Sequence, residues 1–300
     1  MENGFEFDFE ALKKAGQITR DALIYGRTLI KPGANIAEVT DLIEEKIKEL
    51  GGKLAFPVNI SMNDTAAHNV AKINDPFTFK DEIIKLDLGA HVEGWAGDSA
   101  ITIDLSGKNQ ALVDASEKAL NNAIASIKPG VTLSDIGGTI EKTIVDLGFQ
   151  PVRNLSGHQI DCYNLHAGLT IPNYDTKDDT QLEPGMIFAI EPFATNGVGL
   201  IDEKGTPEIF ALEDFKPLRL PIARKIAKHI EDEYVTLPFS TRMIAKKFSE
   251  TQIKLAFRMI EKNNCLKKYR PLVEKSGGLV SQTEHTIYID EDWNVHILTK

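Results

Sequence analysis

Two aspartates, Asp87 and Asp98, stand in a stretch, residues 83–103, that otherwise has the composition of a strand pair. Ile83, Ile84, Leu86 and Leu88 mark one strand and Ala100, Ile101, Thr102 and Ile103 another, with Gly89, Gly94 and Gly97 as breaks. A β-hairpin whose turn centres on Val92 and Glu93 would set Asp87 directly opposite Asp98, with Cβ atoms roughly 5 Å apart on one face. Two bare carboxylates about 4 Å apart repel by roughly 4 kcal/mol at an effective dielectric near 20, so such a pair in an apolar sheet calls for a cation between them. A solvated acidic loop, with Asp98 following a glycine in a turn, is the alternative the pair alone leaves open.

Three more ionisable residues stand where the second half reads as buried strand: His158 after Gly157, Glu191 after Ile187-Phe188-Ala189-Ile190, and Glu284 before Thr286-Ile287-Tyr288-Ile289. Taken singly, each reads as a satisfied core histidine or a surface glutamate. Together with Asp87 and Asp98 they make four carboxylates and one imidazole, an oxygen-rich set suited to two divalent cations, whose charge the carboxylates would match.

The elements that must position this set are laid out twice. Leu12, Ala15, Ile18, Ala22 and Leu23 recur at helical spacing over about residues 9–29 until Pro32-Gly33. Asn35 with Glu38 resembles a capping box that opens a second helix, striped by Ile36, Val39, Ile43 and Ile47 and ended by Gly51-Gly52. A strand-like run at 54–60 leads into the hairpin. The order then returns as a helix over 109–127, the turn Lys128-Pro129-Gly130 and a capped helix over 132–147 that stops at Gly148. Ile30-Lys31-Pro32-Gly33 and Ile127-Lys128-Pro129-Gly130 are the same tetrapeptide 97 residues apart, and Leu50-Gly51 and Leu147-Gly148 keep that offset. This is the mark of an internal duplication. Two halves of helix, helix and antiparallel strands can share one curved sheet, an α+β arrangement with a cleft between the halves. The second set of strands covers 149–158, 186–193 and 282–289.

Residues 216–270 interrupt that second set with 14 basic and 5 acidic side chains, +9 against −19 for the rest of the chain. Ile222, Ile226 and Ile230 stripe one helix there; Ser249 with Gln252 caps another that carries Ile253, Ala256 and Ile260, so a small helical insertion is expected. The division is a body of 1–205 and 271–300 and an insertion of 206–270. At 42% hydrophobic and 26% charged the chain is ordinarily globular, and its net charge of −10 argues against DNA as a specific partner. No apolar run reaches membrane-spanning length, residues 1–10 are acidic and unlike a secretory signal, and two cysteines suit a reducing compartment. A cytoplasmic location is expected.

Lys85-Leu86-Asp87-Leu88-Gly89 with Gly97-Asp98, Ser156-Gly157-His158-Gln159-Ile160, Phe188-Ala189-Ile190-Glu191-Pro192-Phe193 and Thr283-Glu284-His285-Thr286 resemble the signature of the methionine aminopeptidases, over nearly the whole chain. The resemblance implies the duplicated pita-bread fold, and the insertion resembles that of the type 2, archaeal-like members. It implies that Asp87 chelates one metal, Asp98 and Glu284 bridge both, and His158 and Glu191 complete the other, with Glu191 also shuttling a proton and a bridging hydroxide as nucleophile. Cobalt, manganese, iron or zinc would each suit the site. His68 and His166 match positions that face the scissile peptide, where a donor favours charge on the carbonyl oxygen. Phe56 and Tyr269 resemble pocket residues for the methionine side chain. Loop 199–210 matches no pocket group of the eukaryotic type 2 enzymes, Cys162 reads as a small buried filler, and His91, His229, His285 and His296 fall on no site position.

The expected activity is removal of the initiator methionine from nascent proteins when the second residue is small, by a monomer. Two other readings share the architecture: a prolidase or Xaa-Pro peptidase, whose kind carries an extra N-terminal domain, and a non-catalytic pita-bread protein that binds the ribosome or chromatin and has usually lost ligands. The ribosome surface is rich in RNA, so the basic insertion could dock there, with Lys246, Lys247, Lys267 and Lys268 as contacts.

Overall fold

Helix α1 (Phe9–Leu29) begins where Asp8 caps it, its Oδ1 accepting the Ala11 N–H at 2.9 Å. Helix α2 (Ile36–Glu49) is capped by Asn35 Oδ1, which accepts from Ala37 and Glu38. Only this half of the expected capping box forms among the described residues, and the Asn35 side-chain amide donates to the carbonyls of Asp75 and Phe77. Gly51, at a φ of +87°, closes the helix with its N–H on Lys48. The second half repeats the pair as α3 (Gln110–Ala125) and α4 (Leu133–Asp146), the latter with a full capping box between Thr132 and Asp135. This computed structural model describes residues 5–214 and 216–300; residues 1–4 of the acidic N-terminal stretch and position 215 of the insertion lie outside the described residues.

The two helix pairs lie against one sheet of seven strands. Its order is Lys53–Leu54, Ile83–Val92, Trp95–Asp104, Glu284–Ile289, Val295–Ile297, with Asn59–Met62 also on Ile83–Val92 and Ile187–Ile190 on Glu284–Ile289. All these pairs are antiparallel. Ile18, Leu23, Ile43 and Ile47 of α1 and α2 pack on Leu86 and Leu88, and Leu120, Ile136 and Ile140 of α3 and α4 pack on Phe188, Ile190 and Ile287. The duplication therefore appears as two equivalent helix-on-strand cores that meet where the Trp95–Asp104 and Glu284–Ile289 strands pair. Among the described residues no helix is long and apolar enough to cross a membrane.

The hairpin corrects the expected register. Its turn is Glu93-Gly94, both at positive φ, with Val92 opposite Trp95. A two-residue turn of that kind wants glycine in its second place, which moves the turn one residue beyond the expected centre. Gly89 therefore faces Asp98, and Asp87 faces Ala100. The two aspartates share a face as diagonal neighbours, not as a direct pair. Nor do Gly89 and Gly97 break the strands; Gly97 lets α1 approach, since a Cβ there would stand 2.8 Å from Gly16 Cα.

The insertion holds α5 (Pro221–Tyr234), α6 (Thr241–Ala245) and α7 (Glu250–Lys262), with the capping box at Ser249 and Gln252 as read. It also contains a three-stranded sheet of Ile209–Leu212 between Phe239–Ser240 and Leu266–Tyr269, which the helical expectation lacked. Strands of two to four residues are too short for alternation to show in sequence.

Candidate metal centre

Five separate segments deliver the five candidate ligands to one end of a cavity of about 250 Å³. Asp87 and Asp98 come from the hairpin, Glu284 opens the neighbouring strand, Glu191 follows the Ile187–Ile190 strand, and His158 ends the short Ser156–His158 strand. His158 Nε2 lies 3.6 Å from Asp98 Oδ2 and 3.8 Å from Glu191 Oε1. Asp98, His158 and Glu284 offer ligand atoms within 4.8 Å of one another. Thr286 fixes the hairpin to this strand, its hydroxyl accepting the Asp98 N–H at 2.7 Å and donating to the Asp98 carbonyl at 2.8 Å.

Gln282, which the sequence reading did not single out, spans the group. Its amide nitrogen stands 3.2 Å from Asp87 Oδ2, 3.3 Å from Glu191 Oε2 and 3.4 Å from Glu284 Oε2, so two N–H groups serve three carboxylates. Its position two residues before Glu284 was the available signal, because alternate residues of a strand share a face.

This is a costly arrangement without cations. Burial pushes the Asp87 carboxyl up to about 7 against the opposing donation from Gln282. Burial, then Asp87, raises Asp98 well above the usual range; burial and the neighbouring carboxylates do the same to Glu191 and Glu284. Burial, then His166, lowers His158 to about 3, so its imidazole is neutral and able to ligate. Asp87 Oδ1 and Asp98 Oδ1 are buried without a hydrogen-bond partner among the described residues. Orphaned buried oxygens, a neutral imidazole and carboxylates crowded on one another are what a divalent cation site requires of its ligands.

The remaining predicted residues line the same cavity. Phe56 packs against Gly89, where a Cβ would stand 2.5 Å from its Cε1; glycine opposite Asp98 thus leaves room for the ring. Tyr269 meets His68 edge-on with centroids 5.5 Å apart, and His166 lies 4.4 Å from His158. His68 sits at a φ of +60°, a conformation costly for a side chain other than glycine, and its Nδ1 is 3.3 Å from the Arg270 carbonyl. Burial lowers both His68 and His166 to about 4. The insertion contributes to the cavity through Ile209, Pro238 and Tyr269. His229 and His296 lie away from it; His285, beside Glu284, turns to the Thr299 hydroxyl at 2.9 Å.

The sequence profile described as metallopeptidase family M24 matches residues 10–237. A methionine aminopeptidase of Archaeoglobus fulgidus is 45% identical over 97% of this chain and 98% of its own length. Among solved structures, a methionine aminopeptidase from Thermotoga maritima superposes with a TM-score of 0.70 at 27% identity, over 97% of this chain and 96% of that one. A thermophilic Arx1 superposes with a TM-score of 0.83 at 17% identity, over 98% and 91%, which is a likeness of fold.

Proposed function

The chain belongs to metallopeptidase family M24, and from that premise we propose that it is a methionine aminopeptidase, a metal-dependent exopeptidase that removes the initiator methionine from nascent proteins. The observation that carries this reading is the convergence of Asp87, Asp98, His158, Glu191 and Glu284 at the floor of a cavity walled by Phe56 and Tyr269. Asp87, Asp98, His158, Glu191 and Glu284 would together hold two divalent cations, with Asp98 and Glu284 serving both, Asp87 one and His158 and Glu191 the other; the four carboxylates match two dications. When bound, the ions would supply Lewis acidity and lower the pKa of a shared water from about 15.7 toward roughly 7.

The chain's own groups do the rest. Phe56 and Tyr269 hold the methionine side chain. Since the Arg270 carbonyl can only accept, His68 must donate through Nδ1, and as a neutral ring it presents Nε2 as an acceptor for the N–H of the scissile amide. This refines the expectation of two donors, leaving His166 to donate to the carbonyl oxygen as charge develops there. Glu191 takes the proton of the attacking water on a carboxylate oxygen and passes it to the departing amine.

The body is proposed as 1–205 and 271–300 and the insertion as 206–270. We place the enzyme in the cytoplasm as a monomer; its two cysteines are both free and buried. We also propose that the basic insertion docks on the ribosome. Of the four lysines expected as contacts, Lys246 is paired with Glu44, Lys268 with Glu261, Lys267 belongs to the cavity wall's strand, and Lys247 Nζ stands 3.4 Å from His229 Nδ1.

A metal-replete assay on Met-Ala, Met-Pro and Ala-Pro peptides tests the activity. Methionine should be released from Met-Ala. Release of proline from Ala-Pro with no methionine from Met-Ala would make the enzyme a prolidase, and hydrolysis of none would make it a binding protein.

A further inference from the structure

We propose that Lys267 makes the enzyme selective for charge beyond the residue that follows methionine, favouring chains with an acidic side chain there over those with a basic one. The inference rests on the activity proposed above and adds a substrate class to it.

Lys267 and Tyr269 are alternate residues of the Leu266–Tyr269 strand and so share a face. The strand is pinned by its ladder to Ile209–Leu212, with Ala211 opposite Lys267 and Ile209 opposite Tyr269. Tyr269 and Ile209 both line the cavity, and Lys267 Nζ lies over the Tyr269 ring, 5.1 Å from its centroid. The ammonium group thereby stands beside the cavity, over a ring whose neighbour is His68. Its field reaches His68 and His166, helping to keep both neutral.

Among the described residues no carboxylate pairs with this ammonium. The adjacent Lys268 turns to the opposite face and pairs with Glu261 at 3.0 Å, whereas Lys267 forms no ion pair among the described residues. No lysine or arginine lines the cavity, and its four carboxylates match the charge of two bound dications. Glu213, one residue beyond the neighbouring Ile209–Leu212 strand, is the opposing charge whose field reaches Tyr269, and it is exposed to solvent. The loaded site therefore has the Lys267 ammonium as a positive charge at its edge.

A peptide with its methionine at the metal-bearing floor must leave the cavity extended, advancing about 3.3 Å per residue. The second and third residues after methionine then pass the edge; a charged side chain there that comes within about two residue lengths, roughly 7 Å, of Nζ feels the ammonium. At that distance, in a water-like dielectric, one unit charge changes association about threefold, so acidic and basic residues should differ about tenfold.

The test is kcat/KM of the metal-loaded enzyme on Met-Ala-Xaa-Ala peptides with Xaa as Glu, Gln or Lys, at low salt and at physiological salt. The wild type should prefer Glu to Lys about tenfold at low salt, with the ratio shrinking as salt screens the charge. Lys267→Arg should keep the preference, Lys267→Met should bring the ratio close to one, and Lys267→Glu should invert it. Methionine release with the same ratio in wild type, Lys267→Met and Lys267→Glu would overturn the charge selection and leave the activity standing. Absence of methionine release from every peptide would overturn the activity, and the selection with it.

Discussion

Arg242 on α6 of the insertion reaches into the body and pairs with Glu44 on α2, and both side chains are buried. Asp41 takes the other side of the guanidinium, and Lys246 Nζ stands 2.8 Å from Glu44 Oε2. The pairing ties a module that supplies Ile209, Pro238 and Tyr269 to the helix layer behind the hairpin. Removing one partner of a buried pair leaves an uncompensated charge and costs about 3 to 5 kcal/mol, whereas an apolar replacement of both is often close to neutral. Arg242→Ala should therefore lower the urea midpoint substantially, and Arg242→Met combined with Glu44→Leu should recover most of it. An unchanged midpoint in Arg242→Ala would show that the pair holds nothing together.

How far the site was legible in sequence depended on how local each signal was. The repeated helices could be read because caps, stripes and stopping glycines lie within a few residues of one another. The five candidate ligands could be read because a charged residue in an apolar strand contradicts its surroundings. The register of the hairpin could not: it depends on which residue tolerates positive φ in the turn, and Gly94 outweighed the midpoint that symmetric spacing suggested. Gln282 was missed because a neutral amide in a strand contradicts nothing until the three carboxylates around it are known. Glu44 and Arg242 were missed for a related reason, since nearly two hundred residues separate a charge on one amphipathic helix from its partner on another.

His91 offers a test of burial through pH. Its Nδ1 accepts the Gly94 N–H at 3.1 Å, which only the neutral ring can do, and burial, then Lys53, lowers it to about 4. A folded pKa below the unfolded 6.5 stabilises the protein fully above pH 6.5, and that contribution is lost as pH falls through 4. At 1.36 kcal/mol per unit the loss is at most about 3 kcal/mol. His68, His158, His166 and His285 slope the same way, so the quantity to measure is the stability of wild type minus that of His91→Asn. The difference should decline between pH 6.5 and 4; a constant difference would mean that His91 is not held neutral.

Bridging and terminal carboxylates should differ in their effect on metal content. Glu284→Ala and Asp98→Ala should abolish hydrolysis and weaken binding of both ions, while Asp87→Ala should release one first. Metal analysis by mass spectrometry separates the cases. Two tightly held ions per chain in Glu284→Ala would remove the bridging assignment.

His68→Ala and His166→Ala should retain full metal content and lose turnover. For His166, a loss of roughly 10² to 10³ in kcat is expected of a missing donor to the carbonyl oxygen. His68→Gln, which keeps an acceptor, should recover part of what His68→Ala loses. If either alanine variant lost metal together with activity, the histidine concerned would be a ligand and the set of five would be incomplete.

The proposed docking on the ribosome is best tested on α7. Lys254, Arg258 and Lys262 stand four residues apart, on one exposed face of that helix, and none of the three lines the catalytic cavity. Lys254 has Glu250 at 3.8 Å, and no ion pair engages Arg258 or Lys262 among the described residues. The +9 segment 216–270 on a −19 remainder would orient the molecule in the field of an RNA surface, and each phosphate contact would release counterions, so the proposed binding must weaken as salt rises. Reversing the three residues to glutamate should leave release of methionine from Met-Ala unchanged and reduce cosedimentation with ribosomes most strongly at low salt. Equal cosedimentation of wild type and variant across the salt series would mean that this basic face only meets solvent.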